Sequence, residues 1–212
     1  MGYTLTYLQK ELFMAKENEN FHEIGRYRAG KIAGKSISFK IESFKGEVVL
    51  RTYGRKQFNS CPHDIIVFSS DKEMANPALK FDSDANCIII NRDTLQKKEI
   101  WSLEILVPEC YELRNLKVSL EGAGSFLNVD VPILEIDIIN SGRGAVKFLE
   151  SIEPNIFCYK SKSSGNFDIK GLNAHDYLFI HLLSSGSFFS QKKVSGPKRT
   201  ILCLSSGVFE DS

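Results

Sequence analysis

Apolar and polar residues alternate with a period of two along much of this chain. "SISFKIESFKGEVVLRTY" places Ile37, Phe39 and Ile41 on one side, and Gly46 stands two residues before Val48. "HDIIVFSS" and "NCIIINRD" are short β-branched runs bounded by turn residues, and "IWSLEILVPEC" alternates Trp101, Leu103, Ile105 and Val107 before Pro108. Alternation of this kind predicts strands with one buried face. Polar stretches such as "SSDKEMANPALKFDSDAN" read as loops between them. The start is different: Leu5, Leu8 and Leu12 have helical spacing, and Thr6-x-x-Gln9 fits a capping box. A short helix over residues 1–20 is therefore expected, placed to cover an open end of the β structure.

The second half carries a repeat. Gly124/Phe126, Gly144/Val146, Gly165/Phe167, Gly186/Phe188 and Gly207/Phe209 each pair a glycine with an apolar residue two places on. Successive glycines are separated by 20, 21, 21 and 21 residues. Eight and six places before each glycine stand Leu116 and Val118, Ile136 and Ile138, Phe157 and Tyr159, Leu178 and Ile180. The last unit keeps Ile201 but has Arg199 in the first column. Each unit reads as strand, glycine turn, short strand, turn. At roughly 3.3 Å rise per residue and about 4.8 Å between strands, one unit makes one coil that stacks on the next. Phe126, Val146, Phe167, Phe188 and Phe209 then form a buried column. The glycines supply positive φ or room for a close backbone approach, and the serines of "SSGNF", "SSGSFF" and "SSGVF" are small corner residues that hydrogen-bond locally.

The fold class is thus all-β, a single parallel β-helix-like solenoid with ~21-residue coils. No Pro/Gly/Ser linker divides the chain, so residues 1–20 form a candidate helical cap and 21–212 one β-solenoid domain. A strict six-residue period and the leucine-rich L-x-x-L-x-L-x-x-N phrase are both missing, which excludes hexapeptide coils and leucine-rich repeats.

Within Glu99–Gly171, "WSLEILVPECYELRNLKVSLEGAGSF" has an alternating strand ending in Val107-Pro108, then Leu116, Val118 and the Gly124 turn. In this it resembles the bacterial adhesin-like β-solenoid domains of unknown function. Counting the strand-rich first half, the resemblance covers most of residues 36–209. It implies a β-helix-like fold with no established catalytic site.

Composition narrows the function further. With 42% hydrophobic and 25% charged residues and a net charge of +1, no global field argues for nucleic acid or membrane. Cys61, Cys87, Cys110, Cys158 and Cys203 are far apart and form no C-x-x-C pair, so reduced thiols are expected. No apolar run is long enough to span a bilayer and no secretory signal is evident, which gives a cytoplasmic expectation. "MGYTLT" fits the myristoylation pattern at Gly2, but Tyr3 is bulky and no polybasic signal follows; an ordinary start is the preferred reading.

Candidate chemistry is sparse. His175-Asp176 falls in a turn, and His181 lies between the inward Ile180 and Leu182, so it faces solvent. The four histidines have no metal-ligand spacing. Among the carboxylates, Asp130, Asp137 and Asp168 do not line up at the repeat period, as glycan-cleaving chemistry on one face would favour. No catalytic residue, cofactor or metal is assigned. The interaction patch is Lys192, Lys193, Lys198 and Arg199 of "QKKVSGPKR", with Lys160, Lys162 and Lys170 earlier. Nucleic acid is not favoured for it, because base stacking needs exposed aromatics and the aromatics here read as core columns. The expected function is a non-catalytic scaffold for an unknown protein partner, with self-association through the coil ends as a further route. The alternative is a carbohydrate-binding or carbohydrate-active β-helix protein.

Overall fold

A computed structural model describes residues 21–28, 36–53, 64–70, 79–84, 86–91, 102–109, 111–204 and 206–212. The expected helix over 1–20 and the Gly2 motif lie outside the described residues. All regular structure in the described residues is β. The first strands are β1 (His22–Arg28), β2 (Ser36–Phe44), β3 (Glu47–Tyr53), β4 (Asp64–Ser69), β5 (Leu79–Asp82), β6 (Cys87–Asn91) and β7 (Ser102–Pro108). There follow β8 (Glu112–Leu120), β9 (Ser125–Asn128), β10 (Ile133–Asn140), β11 (Val146–Phe148) and β12 (Ile156–Ser161). The last are β13 (Phe167–Ile169), β14 (Tyr177–Leu182), β15 (Ser187–Ser190), β16 (Lys198–Cys203) and β17 (Val208–Asp211).

Two mixed sheets result. Sheet A has the order β1-β4-β7-β3-β9-β11-β13-β15-β17, and sheet B the order β16-β14-β12-β10-β8-β2-β6-β5. From β8 onward the chain alternates between them, and each strand pairs in parallel with the one about 21 residues later. Leu116 aligns with Ile136, Ile136 with Phe157, Phe157 with Leu178, and Leu178 with Arg199. In sheet A, Phe126, Val146, Phe167, Phe188 and Phe209 align in turn, and Val48 extends the column. Alternation decides which face is buried, so both columns point into one shared core. The sheets meet there through rings: Phe167 lies 4.6 Å from Phe188 and 4.6 Å from Tyr159 between centroids.

The first half is less regular. β2 and β3 pair in parallel register with β8 and β9. β1 and β4 pair antiparallel, as do β4 and β7, and β5 and β6. The stretch taken for a polar loop contains β5, whose Leu79 is buried while Lys80 is exposed. Four residues with one buried apolar position are too short for alternation to stand out. Strand β7 is buried on both faces: its outward Leu106 packs with Tyr53 and Ile66 in a second apolar cluster. Beside it the outward Arg51 and Glu104 form a buried ion pair at 2.5 Å.

The corner glycines work by close approach. Gly122, at φ 59°, has positive φ, but the five repeat glycines do not. A Cβ on Gly144 would collide with the Gly124 carbonyl, and one on Gly124 with the carbonyl of Phe44. Among the described residues, the side chains that tie the corners are those of Asn140 and Ser161 rather than of the paired serines. Asn140 donates from Nδ2 to the Gly144 carbonyl at 2.9 Å and accepts from the Gly142 N–H at 3.0 Å. At the aligned position on the next strand of sheet B, Ser161 Oγ donates to the Ser163 carbonyl at 3.0 Å. These buried polar groups are satisfied within their own turn, which is the condition for tolerating them next to an apolar core.

Candidate binding face

Inward alternation on sheet B fixes what faces outward. β12 presents Ile156, Cys158 and Lys160; β14 presents Tyr177, Phe179 and His181; β16 presents Lys198, Thr200 and Leu202. The face is flat-laddered, since equivalent residues of successive parallel strands sit about 4.8 Å apart. Tyr177 is 50% exposed and Leu202 37%. Lys198 Nζ donates to Tyr177 Oη at 3.1 Å and lies 4.5 Å from that ring's centroid. The rings of Phe179 and His181 pack with centroids 3.8 Å apart. The result is an apolar and aromatic strip edged by Lys160 and Lys198.

Two titrating groups report on this strip. Burial, then Asp137, pushes the Cys158 thiol up. Burial, then the ammonium of Lys160 across the strand pair, pushes the His181 imidazole down. A lowered pKa means that the folded chain disfavours imidazolium, so His181 is expected to stay neutral to lower pH than an unperturbed histidine. Replacing Lys160 with Ala removes one of the two causes. Its titration, followed by NMR, should move upward in Lys160→Ala; a midpoint left in place would show that Lys160 does not act on it.

The four residues of the sequence-derived patch do not share one surface. Lys198 and Arg199 are neighbours on β16 and point to opposite sides of the sheet. Lys198 joins the outer strip, whereas Arg199 turns toward the end of the core. There its guanidinium donates to the Val194 carbonyl at 3.1 Å, pairs with Asp211 at 3.5 Å and lies 5.7 Å from the Phe209 ring centroid. Lys192 and Lys193 are exposed in the loop between β15 and β16. Of the earlier lysines, Lys170 pairs with Glu150 at 2.6 Å.

The acid–base candidates are dispersed as well. His175 is exposed, with Nε2 3.9 Å from Glu153. Asp130 accepts from the Thr52 N–H and hydroxyl, both at 2.7 Å. Asp137 lies on the outer face of sheet B, and Asp168 on that of sheet A near Lys147 at 3.7 Å. A cleft of about 290 Å³ runs beside Asp130, Val131, Ile133, Glu150, Ile152 and Glu153. Its Asp130 and Glu150 are held by Thr52 and Lys170.

Sequence reasoning missed the outward-facing aromatics. Tyr177 and Phe179 stand nine and seven places before Gly186, out of phase with the inward positions at eight and six. That parity was the available signal. Phe189, 40% exposed, is the equivalent residue on sheet A, one place past the inward Phe188.

Among the described residues, no helix is long and apolar enough to cross a membrane. No protein-family model and no curated protein matches the chain. Among solved structures it is similar to one from Bacteroides fragilis described as a "putative adhesin", with a TM-score of 0.38 and 10% identity, over 92% of this chain and 98% of that one.

Proposed function

We propose that the chain is a non-catalytic β-solenoid binding protein whose outer face on sheet B docks a protein partner. The 20- and 21-residue parallel pairing supports reading residues 21–212 as one solenoid unit. The observation that carries the function is the strip of Tyr177, Phe179 and Leu202, flanked by Lys160 and Lys198, on a rigid laddered face. Aromatic side chains anchored on an ordered surface provide contact area at low entropic cost, and charged neighbours at the rim set specificity. Lys192 and Lys193 lie in the loop before the same strand and extend the basic rim. Localisation in the cytoplasm, with reduced thiols, fits this reading.

The test is affinity capture with the wild-type chain beside Tyr177→Ala/Phe179→Ala, after checking that both melt at similar temperatures. A purified partner that binds the wild type should lose at least tenfold in affinity to the double variant, the size of effect expected for a central aromatic anchor. Unchanged affinity would place the binding site elsewhere. A glycan that binds the wild type and not the variant would turn the face into a carbohydrate platform and overturn the protein reading.

A further inference from the structure

The end of the coil stack formed by β16 and β17 has a charge pattern that the binding reading does not use. Among the described residues each of these strands is paired along one edge only, β16 with β14 and β17 with β15. Exposed large apolar residues gather here: Leu202, Leu204 and Val208 belong to this last coil, and Tyr177 and Phe189 to the one before. The core is thinly covered at the same place, with Ile201 and Phe209 only partly buried.

The two edges differ in sign. Strand β16 begins with Lys198 and Arg199; strand β17 ends with Glu210 and Asp211. The Arg199–Asp211 pair at 3.5 Å shows that the start of β16 and the end of β17 lie side by side. The chain therefore runs out along β16 and back along β17, and both charged pairs sit at one side of the coil, positive on sheet B and negative on sheet A.

From this we infer that two copies of the chain associate end to end through β16 and β17, sheet A of one over sheet B of the other. A two-fold axis lying between the sheets and parallel to the strands places β16 of one copy along β17 of its mate. The strands then run antiparallel, which suits edge-to-edge hydrogen bonding. The same rotation keeps the charged side in place, so Lys198 and Arg199 of each copy meet Glu210 and Asp211 of the other. The alternative two-fold, perpendicular to the strands, sets β16 on β16 and brings the basic start of one against the apolar end of the other. Charge complementarity selects the first arrangement. Being isologous, it closes at two copies.

Lys198 and Glu210 face outward on opposite sheets, so within one chain they are on opposite sides, and across the two-fold they are on the same side. That makes them the diagnostic pair. Sedimentation velocity on the 212-residue chain at low ionic strength should show a dimer that weakens as salt is raised. Lys198→Glu and Glu210→Lys should each shift it at least tenfold toward monomer, and the double variant Lys198→Glu/Glu210→Lys should restore it. Phe179→Ala, on the partner-binding face where its ring packs on His181 and not on Lys198, should leave the dimer intact, which separates this contact from that face. A monomer at all soluble concentrations would overturn the proposal. So would open-ended polymers, or a dimer that neither single substitution weakens, or a double variant that stays monomeric while its circular dichroism and melting match the wild type.

Discussion

Phe167→Ala is expected to destabilise the fold by about 4 kcal/mol, near the middle of the range for removing a buried Phe. Its side chain is 1% exposed. The ring contacts four others: Phe188 at 4.6 Å along its own column, Phe148 at 5.6 Å on the neighbouring strand β11 of the same sheet, and Phe157 at 5.6 Å and Tyr159 at 4.6 Å from the facing sheet. Truncation leaves a cavity that the strand backbones, fixed by parallel pairing on both sides, cannot collapse into. Phe209→Ala supplies the contrast. Phe209 ends the same column, is partly exposed and, among the described residues, stacks only on Phe188 at 5.4 Å, with Arg199 near its ring. Its loss should cost less than half as much. Urea unfolding reads both, as a fall in midpoint at unchanged slope. Equal losses at the two positions would mean that the column is not a graded core with a thin end.

The strands of the second half were legible because burial there has a strict period. Leu116 and Val118 point inward for the same reason as Leu178 and Ile180, and a period of two together with one of about 21 fixes both the face and the neighbour. The same arithmetic makes Tyr177 and Phe179 outward residues, although aromatic identity alone suggested core. The first half resisted for physical reasons. β7 alternates Leu103, Ile105 and Val107 inward, but its outward Glu104 and Leu106 are covered as well, and alternation carries no sign of that second buried face. β5 is short and contributes one buried residue. Antiparallel partners such as β1 and β4 follow no repeat, so their pairing has no signature in spacing. The basic cluster shows the limit for sites. Four nearby cations suggest one patch, but on a strand neighbours point apart, and Lys198 and Arg199 are divided between the outer face and the core end. Arg199 stands in an apolar column, and its partner Asp211 follows Ser190 in the facing sheet. Two departures from the repeat in one coil thus compensate each other, which spacing alone does not reveal.

Gly144→Ala is expected to cost about 3 kcal/mol, at the upper end of what overpacking a well-filled site usually costs. That corresponds to a fall of about 6–12 °C in melting temperature for a chain of this size. The added methyl group would meet the backbone carbonyl of Gly124 in the preceding glycine corner, and a carbonyl held in a strand corner cannot swing aside. Gly171→Ala tests the distinction. There the nearest atoms are Ser151 Oγ at 2.8 Å and Lys192 Cδ at 3.2 Å, both on side chains that can rotate away. It should therefore melt within a few degrees of the wild type. Comparable losses at both sites would show that side-chain crowding, rather than backbone approach, is what the corner glycines relieve. The Gly144 corner also bears on function. Adjacent parallel strands keep their spacing only if the corners that follow them approach this closely, and that spacing sets the distances between Lys160, His181 and Leu202 on the outer face. A substitution that wedges the corner open should therefore weaken partner binding while leaving every residue of the face in place.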